Sequence, residues 1–404
     1  MRLAALTYGT EGDTRPIAAL CRALMDAGHE VSLFADEKTL GSARSLGVPH
    51  AALSGSIQED LSSLVAQGKG VSATVTGLSR IANAQAENWM RQAARAAEGC
   101  DGIIVSGLTA FVGLSVAEHV GVPIVGAGMI PISPTRSFPS PFLPPGLLPS
   151  GFNKASHHLV NWMLWFSFRK AINRARKQVL GLGPRHSLWT GHPMLYGISP
   201  ALLPEPRDWP ANAKLCGQWF GPGDSSTPSD ALQGFLDSGE PPIYLGFGSM
   251  VGFDRDALLR VLLDALDGER VVFYPGWSGL PKASLPDNFF VVGNTPHDWL
   301  FPRMSLAIHH GGSGTVHSAC RAGVPSVVLP FAGDQFFWAR QLQRLGVADV
   351  PVSTRNLNSE AIKQAIRFAR SIEARSRASA LARSMSEENG TAVAVAAIES
   401  ELEK

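Results

Sequence analysis

The chain has 404 residues, of which 45% are hydrophobic and 17% are charged, and its formal net charge is +1. This length favours two globular domains with a cleft between them, and the composition excludes a disordered or fibrous protein. The near-neutral charge gives no general electrostatic reason to bind nucleic acid, so any anion must be bound locally.

The cysteines and the apolar segments predict a cytoplasmic protein. The four cysteines lie far apart, without a Cys-x-x-Cys pair, which is typical of reduced core thiols. Residues 1–8 are too short for the apolar region of a signal peptide. The aromatic-rich run at residues 159–168 is half the length that a transmembrane helix needs. We therefore expect no membrane-spanning segment.

The first half of the chain alternates short apolar runs with helical patterns. Residues 3–6 form an apolar run, a helical pattern follows over residues 16–28, and a second run covers residues 30–35. Similar units recur at residues 102–106 and 123–127. This alternation builds a parallel sheet covered by helices on both faces. The first half is therefore predicted to be a Rossmann-like α/β domain.

Residues 131–185 interrupt this alternation. A proline-rich stretch at residues 131–149 leads into the aromatic run at residues 159–168, and a basic cluster follows. Aromatic residues before a basic cluster are typical of a segment that rests on a membrane or lines an apolar pocket. An inserted helix pair that packs on its own domain fits the pattern equally well.

A second alternating series covers residues 242–329 and predicts a second doubly wound sheet. Between the two halves, residues 221–229 are rich in Gly, Ser and Pro and are the most linker-like stretch of the chain. The last segment, from residue 359, is helical throughout. We expect its final helix to cross back to the first domain.

The most informative motif is His-His-Gly-Gly-Ser-Gly-Thr at residues 309–315, between an apolar strand and a helical pattern. Small residues leave backbone N–H groups free to converge, and a helix start carries roughly half a positive charge. A diphosphate can bind there without a lysine, although a tight turn capped by histidines is the simpler alternative. The candidate phosphate-binding residues are His310, Gly312, Ser313, Gly314 and Thr315.

Two further loops follow predicted strands in the second half. Asp334 and Gln335 can accept from and donate to vicinal hydroxyls, which is typical of sugar binding. The loop at residues 293–302 can present groups to a nucleobase. Both loops lie at strand C-terminal ends, where open α/β sheets bind nucleotides. The candidates in the second loop are Asn294, Thr295 and His297.

Three motifs together resemble the donor signature of nucleotide-sugar glycosyltransferases. They are Pro-His-Asp-Trp-Leu-Phe-Pro at residues 296–302, the glycine-rich turn at residues 309–315 and Pro-Phe-Ala-Gly-Asp-Gln-Phe-Phe-Trp at residues 330–338. The resemblance covers both halves and is strongest over residues 242–345. It implies the GT-B fold, in which two Rossmann-like doubly wound parallel-sheet domains face each other across a cleft, with UDP-glucose as the usual donor.

Within that family the chain is most similar to the sterol glucosyltransferase branch. Gly-Phe-Gly-Ser-Met at residues 246–250 and the Gly-Trp pair at residues 276–277 carry this resemblance. Ser249 is expected to contact phosphate. Trp277 is expected beside the nucleobase.

The family's N-terminal motif is matched by Gly-Thr-Glu-Gly-Asp-Thr-Arg-Pro at residues 9–16. In the sterol branch the matching aspartate, here Asp13, is the general base, and Gly12 beside it is expected near the donor. No histidine precedes His29, which supports Asp13 in this role. Glu11 departs from the family pattern, which usually has Arg. Without the other motifs, Asp13 would be interpreted only as a helix cap.

The resemblance implies an inverting, metal-independent hexosyltransferase that transfers a sugar from UDP-glucose, or a related nucleotide sugar, to a hydroxyl of a lipophilic, sterol-like acceptor. No zinc-binding pattern accompanies the histidines, and no metal site is expected. We expect no nucleic-acid partner. The segment at residues 131–177 leaves peripheral contact with a membrane as one possibility. The expected parts are an acceptor domain, a linker, a donor domain and a terminal helix, over residues 1–220, 221–229, 230–385 and 386–404.

The aromatic and proline-rich segment then supplies the acceptor site. Its candidate contacts are Ile130, Phe138, Phe142, Trp162, Trp165 and Phe166. One alternative function is transfer to a polyketide, macrolide or peptide antibiotic aglycone. Others are a nucleotide-sugar epimerase of GT-B architecture and a nucleotide-sugar-binding protein without activity.

Overall fold

The computed structural model describes residues 1–59, 72–144, 146–221, 229–248, 254–276, 285–293 and 295–403. Its strands, in chain order, are β1 (Arg2–Leu6), β2 (Glu30–Asp36), β3 (His50–Leu53), β4 (Gly102–Val105), β5 (Ile124–Gly128), β6 (Met194–Tyr196), β7 (Ala213–Leu215), β8 (Ile243–Gly246), β9 (Val271–Tyr274), β10 (Phe289–Val291), β11 (Leu306–His309) and β12 (Ser326–Val328).

The α-helices are α1 (Glu11–Asp26), α2 (Gly41–Ser45), α3 (Ser72–Ala96), α4 (Ala110–Val120), α5 (Asn153–Ala175), α6 (Asp230–Asp237), α7 (Arg255–Ala265), α8 (His297–Leu300), α9 (Ser313–Arg321), α10 (Gln335–Leu345), α11 (Ser359–Ala369), α12 (Ile372–Ser386) and α13 (Gly390–Leu402). A π-helical turn at Arg176–Leu180 extends α5. Short 3₁₀ turns occur at Glu37–Thr39, Gly107–Thr109, Ser150–Phe152 and Phe301–Arg303.

Two parallel sheets organise the chain. The first has the strand order β3-β2-β1-β4-β5-β6-β7, and the second has the order β10-β9-β8-β11-β12. The strand order reverses between β1 and β4 in the first sheet and between β8 and β11 in the second. Open sheets bind ligands at the carboxyl ends of the strands beside such a reversal. The predicted architecture of two Rossmann-like doubly wound domains is confirmed.

The first helix begins earlier than the apolar pattern predicts, at Glu11 instead of Pro16. The reason is a capping box: the Thr10 side chain accepts from backbone N–H groups of the first turn, and the Asp13 side chain accepts from the Thr10 N–H. Pro16 therefore lies inside the helix. The buried face of α1 carries Ile17 and Leu20 at helical spacing and packs on the first sheet.

The last helix, α13, packs on the first sheet, as predicted. Ala394 and Ile398 belong to the same buried cluster as Leu20 of α1. His29 Nε2 lies 2.9 Å from Glu399 Oε1. The chain end thus ties the second half to the first.

The predicted linker falls mostly on residues 222–228, which lie outside the described residues, and the domain boundaries stay a prediction. A helix that crosses a bilayer needs a long, continuous apolar run. The helices of the described ranges contain none that qualifies.

Candidate active site

The glycine-rich turn after β11 presents an open helix N-terminus. Gly312 is the N-cap of the nine-residue helix α9, and no side chain caps this end. The N–H groups of the first helical turn therefore have no side-chain partner, and the positive end of the helix dipole lies here. Such an end suits an anion such as phosphate. This open helix start consists of the predicted residues Gly312, Ser313, Gly314 and Thr315.

His310 lies beside the helix start, between two loops. A β-carbon at Gly312 would stand 2.4 Å from its Nε2, and one at Gly248, after β8, would stand 3.1 Å from its Cε1. Burial lowers the pKa of His310 to about 4. The ring is therefore neutral at pH 7 and can donate one N–H to a phosphate oxygen.

The neighbouring His309 shapes the turn. Its side chain is fully buried, and its Nδ1 accepts from the Gly311 N–H at 3.0 Å. Gly311 has a φ of 90°, in the region that favours glycine, and a β-carbon there would stand 3.0 Å from the Gln335 carbonyl oxygen. His309 and Gly311 thus fix the turn, whereas the His310 ring lies between Gly248 and the start of α9.

Asp13 acts as a helix cap and keeps one carboxylate oxygen available. Both the backbone N–H and the hydroxyl of Thr10 donate to Asp13 Oδ2, at 2.7 and 3.2 Å. In the described part of the chain, no hydrogen bond reaches Oδ1. Burial raises the pKa of Asp13 above its ordinary 3.8, and the two bonds from Thr10 oppose this rise. The cap and general-base interpretations are therefore compatible, because they use different oxygens.

Asp334 belongs to the second half and shares a cleft with Asp13. Burial raises the pKa of Asp334 to about 7, the hydrogen bond from Trp338 Nε1 opposes the rise, and the negative charge of Asp13 adds to it. The interaction requires the loop after β1 and the loop after β12 to be neighbours. A direct contact agrees with this: Ser313 Oγ donates to the Met129 carbonyl, just after β5, at 3.1 Å.

Gln335 supports the loop that carries Asp334. Its Oε1 accepts from the backbone N–H groups of Phe331 and Ala332, at 2.8 and 3.1 Å. These bonds hold the loop before α10 in a defined shape. The side-chain carbonyl of Gln335 therefore holds this loop in position. The sequence did not indicate this role.

The predicted nucleobase loop lines a small pocket with strand residues of the second sheet. Thr295 and His297 stand there opposite Tyr244 and Tyr274. The His297 ring stacks on Phe301 with centroids 4.3 Å apart. The candidates Ser249, Trp277 and Asn294 lie outside the described residues.

Arg15 is a residue of this cleft that sequence reasoning missed. Burial lowers the pKa of His297 to about 3, and the positive charge of Arg15 adds to the fall, which places Arg15 near the second half. Its Nη2 lies 3.7 Å from Glu11 Oε2. Helical spacing was the one signal in the sequence that could have identified Arg15 as a cleft residue. Arg15 follows Glu11 and Gly12 by about one turn, so it projects from the same side of the helix.

The aromatic run of α5 is divided between two environments. Trp165 is 2% exposed and packs against Phe111 and Trp189, with ring centroids 5.1 and 5.3 Å apart. Trp162 and Phe166 are 56% and 52% exposed. Helical periodicity separates them, because positions 162 and 166 share one face and position 165 points away. Trp165 is thus a core residue and not a surface for the acceptor.

The other candidate acceptor contacts also differ in environment. Phe138 is buried against Phe337 of the second half, with centroids 5.1 Å apart, so it packs between the halves. Ile130 is half-buried directly after the Met129 carbonyl that Ser313 contacts. Phe142 is 38% exposed in the following loop. Of these three residues, Ile130 is closest in sequence to Met129, whose carbonyl accepts the hydrogen bond from Ser313.

No group of three or more His, Cys, Asp or Glu side chains in the described ranges has an arrangement that could hold a metal ion. The polar groups near the cleft are instead the helix start, His310, the two aspartates and Arg15. Together they offer an anion site, a carboxylate base and groups for hydroxyls in one crevice.

Comparison with known proteins gives the family. Residues 258–400 match the family described as erythromycin biosynthesis protein CIII-like, C-terminal domain. A sterol 3-beta-glucosyltransferase of Arabidopsis thaliana is 32% identical over 98% of this chain and 67% of its own length. Those of Debaryomyces hansenii and Komagataella phaffii are 31% and 30% identical over 98% of this chain, which spans only 27% and 34% of their lengths.

Solved structures with the same architecture include the glycotransferase of kitacinnamycin, at 18% identity and a TM-score of 0.71. The glycosyltransferase SnogD from Streptomyces nogalater has 21% identity and a TM-score of 0.66. Each superposition covers 99% of both chains. At these identities the likeness defines the fold, which is that of the GT-B glycosyltransferases. The sequence relatives go further: the chain belongs to the sterol 3-beta-glucosyltransferase family of nucleotide-sugar glycosyltransferases.

Proposed function

We propose that this protein transfers a sugar, glucose from UDP-glucose, to a hydroxyl of a sterol-like acceptor with inversion at the anomeric carbon. The observation that carries the proposal is the open start of α9, which contacts the first half through the hydrogen bond from Ser313 to Met129, beside the cleft in which the charge of Asp13 raises the pKa of Asp334. The names of the sequence relatives support the acceptor class and the sugar.

In the proposed reaction, Asp13 accepts the proton of the acceptor hydroxyl through Oδ1 while Oδ2 stays bound to Thr10. The acceptor oxygen attacks the anomeric carbon and forms the new glycosidic bond. The bond from that carbon to the diphosphate breaks on the opposite face, and the nucleoside diphosphate leaves with the electron pair. Inversion follows from this single displacement. A positioned base typically contributes about 100- to 10,000-fold to such a step.

The leaving diphosphate gains negative charge as its bond breaks. The N–H groups at the start of α9 and the neutral His310 are proposed to stabilise this charge, which the uncapped helix end and the lowered pKa of His310 support. Arg15, on the facing helix, adds a positive charge near His297, in the proposed nucleobase loop. The proposal assigns the charge stabilisation to these groups and uses no metal ion.

The remaining donor contacts follow the loops. Asp334 and Gln335 are proposed to bind the sugar hydroxyls, with Gln335 also holding its loop. Thr295 and His297 are proposed to lie beside the nucleobase, together with Trp277 and Asn294, and Ser249 beside phosphate. Ile130, Phe138 and Phe142 are proposed for the acceptor side. A sterol-like acceptor is held in bilayers, so we also propose that the protein meets it by peripheral membrane contact.

Product analysis tests this function. UDP-glucose is incubated with the protein and with separate panels of sterols, polyketides and macrolides, and products are identified by mass spectrometry. We expect a hexose added to sterols, and a reaction confined to polyketides or macrolides would replace the acceptor class. Conversion of UDP-glucose to another nucleotide sugar without acceptor would identify an epimerase. Absence of any turnover in all panels would overturn the proposal.

A further inference from the structure

One face of α5 exposes a row of large apolar side chains. Leu159, Trp162, Met163 and Phe166 are 52, 56, 53 and 52% exposed. Their spacing of three or four residues puts them on the same face of the helix, and Phe152, just before it, is 58% exposed. Contiguous exposed apolar side chains of this size mark an interaction site more often than a bare surface.

The aromatic rings of this row are ordered against each other. Trp162 and Phe166 stack with centroids 5.3 Å apart and an interplanar angle of 24°. The Arg169 guanidinium lies 5.1 Å from the centre of the Phe166 ring. This arrangement presents flat aromatic surfaces together with a cation, a combination suited to the boundary between lipid headgroups and acyl chains.

The same face becomes basic toward the end of the helix. Lys170, Arg174 and Lys177 are exposed and continue the row at helical spacing. The ion pairs found in the described ranges use none of these three. By contrast, Arg176 is buried on another side and binds Glu118, with Nη2 2.8 Å from Oε1.

The wider sequence strengthens this charge asymmetry. Between Glu118 and Glu205 there are eight Lys or Arg residues and no Asp or Glu. A face of this kind attracts anionic surfaces, each basic side chain near an anionic bilayer adding to the affinity. It disfavours a second copy of itself, because two such faces would bring like charges together.

We propose that this face is the docking surface for a bilayer that contains anionic phospholipid. The docking face consists of Phe152, Leu159, Trp162, Met163, Phe166, Lys170, Arg174 and Lys177. Its apolar part enters the interface, and its basic part binds the lipid phosphates. The inference rests on the proposed function in one respect, the reason for docking: a sterol-like acceptor is taken up from the same bilayer.

The opposite face of α5 makes this surface rigid. Val160, Trp165, Phe168 and Ile172 are buried, and the last three belong to the core of the first half. Because the exposed and buried faces are separate, substitutions on the docking face leave the core packing intact. The docking face can therefore be changed without unfolding the protein.

Vesicle co-sedimentation tests the docking face with the full chain and no donor. Vesicles contain either phosphatidylcholine alone or equal parts of phosphatidylcholine and phosphatidylglycerol. One variant carries Leu159→Ser and Met163→Ser, which avoid the predicted acceptor contacts, and another carries Lys170→Glu and Arg174→Glu. The matched controls are Ile372→Ser and Arg375→Glu, both exposed on α12.

We expect the protein to bind the anionic vesicles more tightly than the phosphatidylcholine vesicles. Each docking-face variant should weaken binding to the anionic vesicles by about tenfold or more, and the controls should not. Equal binding by the docking-face and control variants would overturn the proposal, as would equal binding to both vesicle types. The protein could instead sediment in the absence of vesicles, and the docking-face substitutions could abolish that sedimentation. This result would assign the face to self-association.

A second readout separates docking from catalysis. With a sterol solubilised in cyclodextrin, the docking-face variants should keep the wild-type rate, since no bilayer is involved. Failure of the proposed function would appear as no turnover in any variant, with vesicle binding unaffected. Loss of both vesicle binding and cyclodextrin-supported turnover in the docking-face variants would show that the face serves the fold or the acceptor site, and would overturn the docking proposal.

Discussion

The negative charge of Asp13, in the first turn of α1, raises the pKa of Asp334, which lies in the other half of the molecule between β12 and α10. Thr10 gives Asp13 two hydrogen-bond donors, and Asp334 has a donor in Trp338 Nε1. Like charges in a shared crevice raise the cost of ionising both, and hydrogen bonds favour the ionised form of the group that receives them. This difference favours Asp13 as the ionised base and leaves Asp334 close to half protonated at neutral pH.

Replacing the base should slow turnover and leave donor binding unchanged. In Asp13→Asn the amide oxygen can still accept from the Thr10 N–H, so the helix cap survives, but the proton acceptor is lost. We expect kcat to fall by about 100- to 10,000-fold. Calorimetric titration should give an unchanged affinity for UDP-glucose. Asp26→Asn, the same change at the exposed end of α1, serves as the control, and normal turnover in Asp13→Asn would remove this residue from the mechanism.

The acid limb of the pH–rate profile should report the Asp13 carboxyl. Its pKa is raised by burial, so kcat/KM should begin to fall at a pH above the ordinary pKa of 3.8 as the base becomes protonated. Thr10→Ala removes the hydroxyl bond that opposes the rise. The limb should therefore move to higher pH in that variant, at a stability cost of about 1 kcal/mol for the weakened cap. A limb that stays in place would assign the titration to another group.

Asp334 should make the unliganded protein less stable as the pH rises. Its pKa is higher in the folded state, at about 7, than its ordinary 3.8, so the folded protein binds the proton more tightly between these values. The free energy of unfolding therefore falls as the pH rises through this window. The stability of Asp334→Asn relative to wild type should therefore rise between about pH 5 and about pH 8, by on the order of 1 to 3 kcal/mol.

Urea unfolding of the unliganded protein at the two pH values measures this difference. The same variant should lose affinity for UDP-glucose if Asp334 binds the sugar. A stability gain that is equal at both pH values would show that the carboxyl does not titrate as described.

Two neighbouring glycines at the start of α9 should respond differently to alanine. In Gly312→Ala the new β-carbon would collide with His310, whereas at Gly314 no atom lies within 4 Å. We expect Gly312→Ala to displace His310 and to lower kcat/KM by about 100-fold. Gly314→Ala keeps His310 in place and should stabilise the helix by up to about 1 kcal/mol. Steady-state kinetics and thermal unfolding measure both, and equal kinetic losses would argue against a role of the His310 position.

Arg15 and Glu11 should have opposite effects on the donor. Arg15→Gln removes a positive charge near His297 and the proposed nucleobase pocket, and we expect the affinity for UDP-glucose to fall by about tenfold. Glu11→Gln removes the neighbouring negative charge and should leave that affinity equal or higher. Titration calorimetry at low salt distinguishes them. A similar loss in both variants would point to the ion pair itself, and so to helix structure.

Local pattern predicted the elements that surround the candidate site. The alternation of apolar runs and helices predicted the inner strands of both sheets, because strands such as β4, β8 and β11 are buried on both faces. The glycine-rich turn was recognisable because tight turns and helix starts demand particular residues, whereas the role of Asp13 was implied by the family resemblance. The start of α1 was predicted too late, since the capping box outweighed the apolar pattern.

Sequence alone therefore specified the two Rossmann-like halves, the open helix start and a carboxylate after the first strand, because these depend on neighbouring residues. Tertiary structure decided which distant groups meet, such as Asp13 with Asp334 and Ser313 with Met129. It also decided that Trp165 is buried while Trp162 faces solvent. Such relations depend on how whole elements pack, since contacts between distant segments leave no periodic signal along the chain.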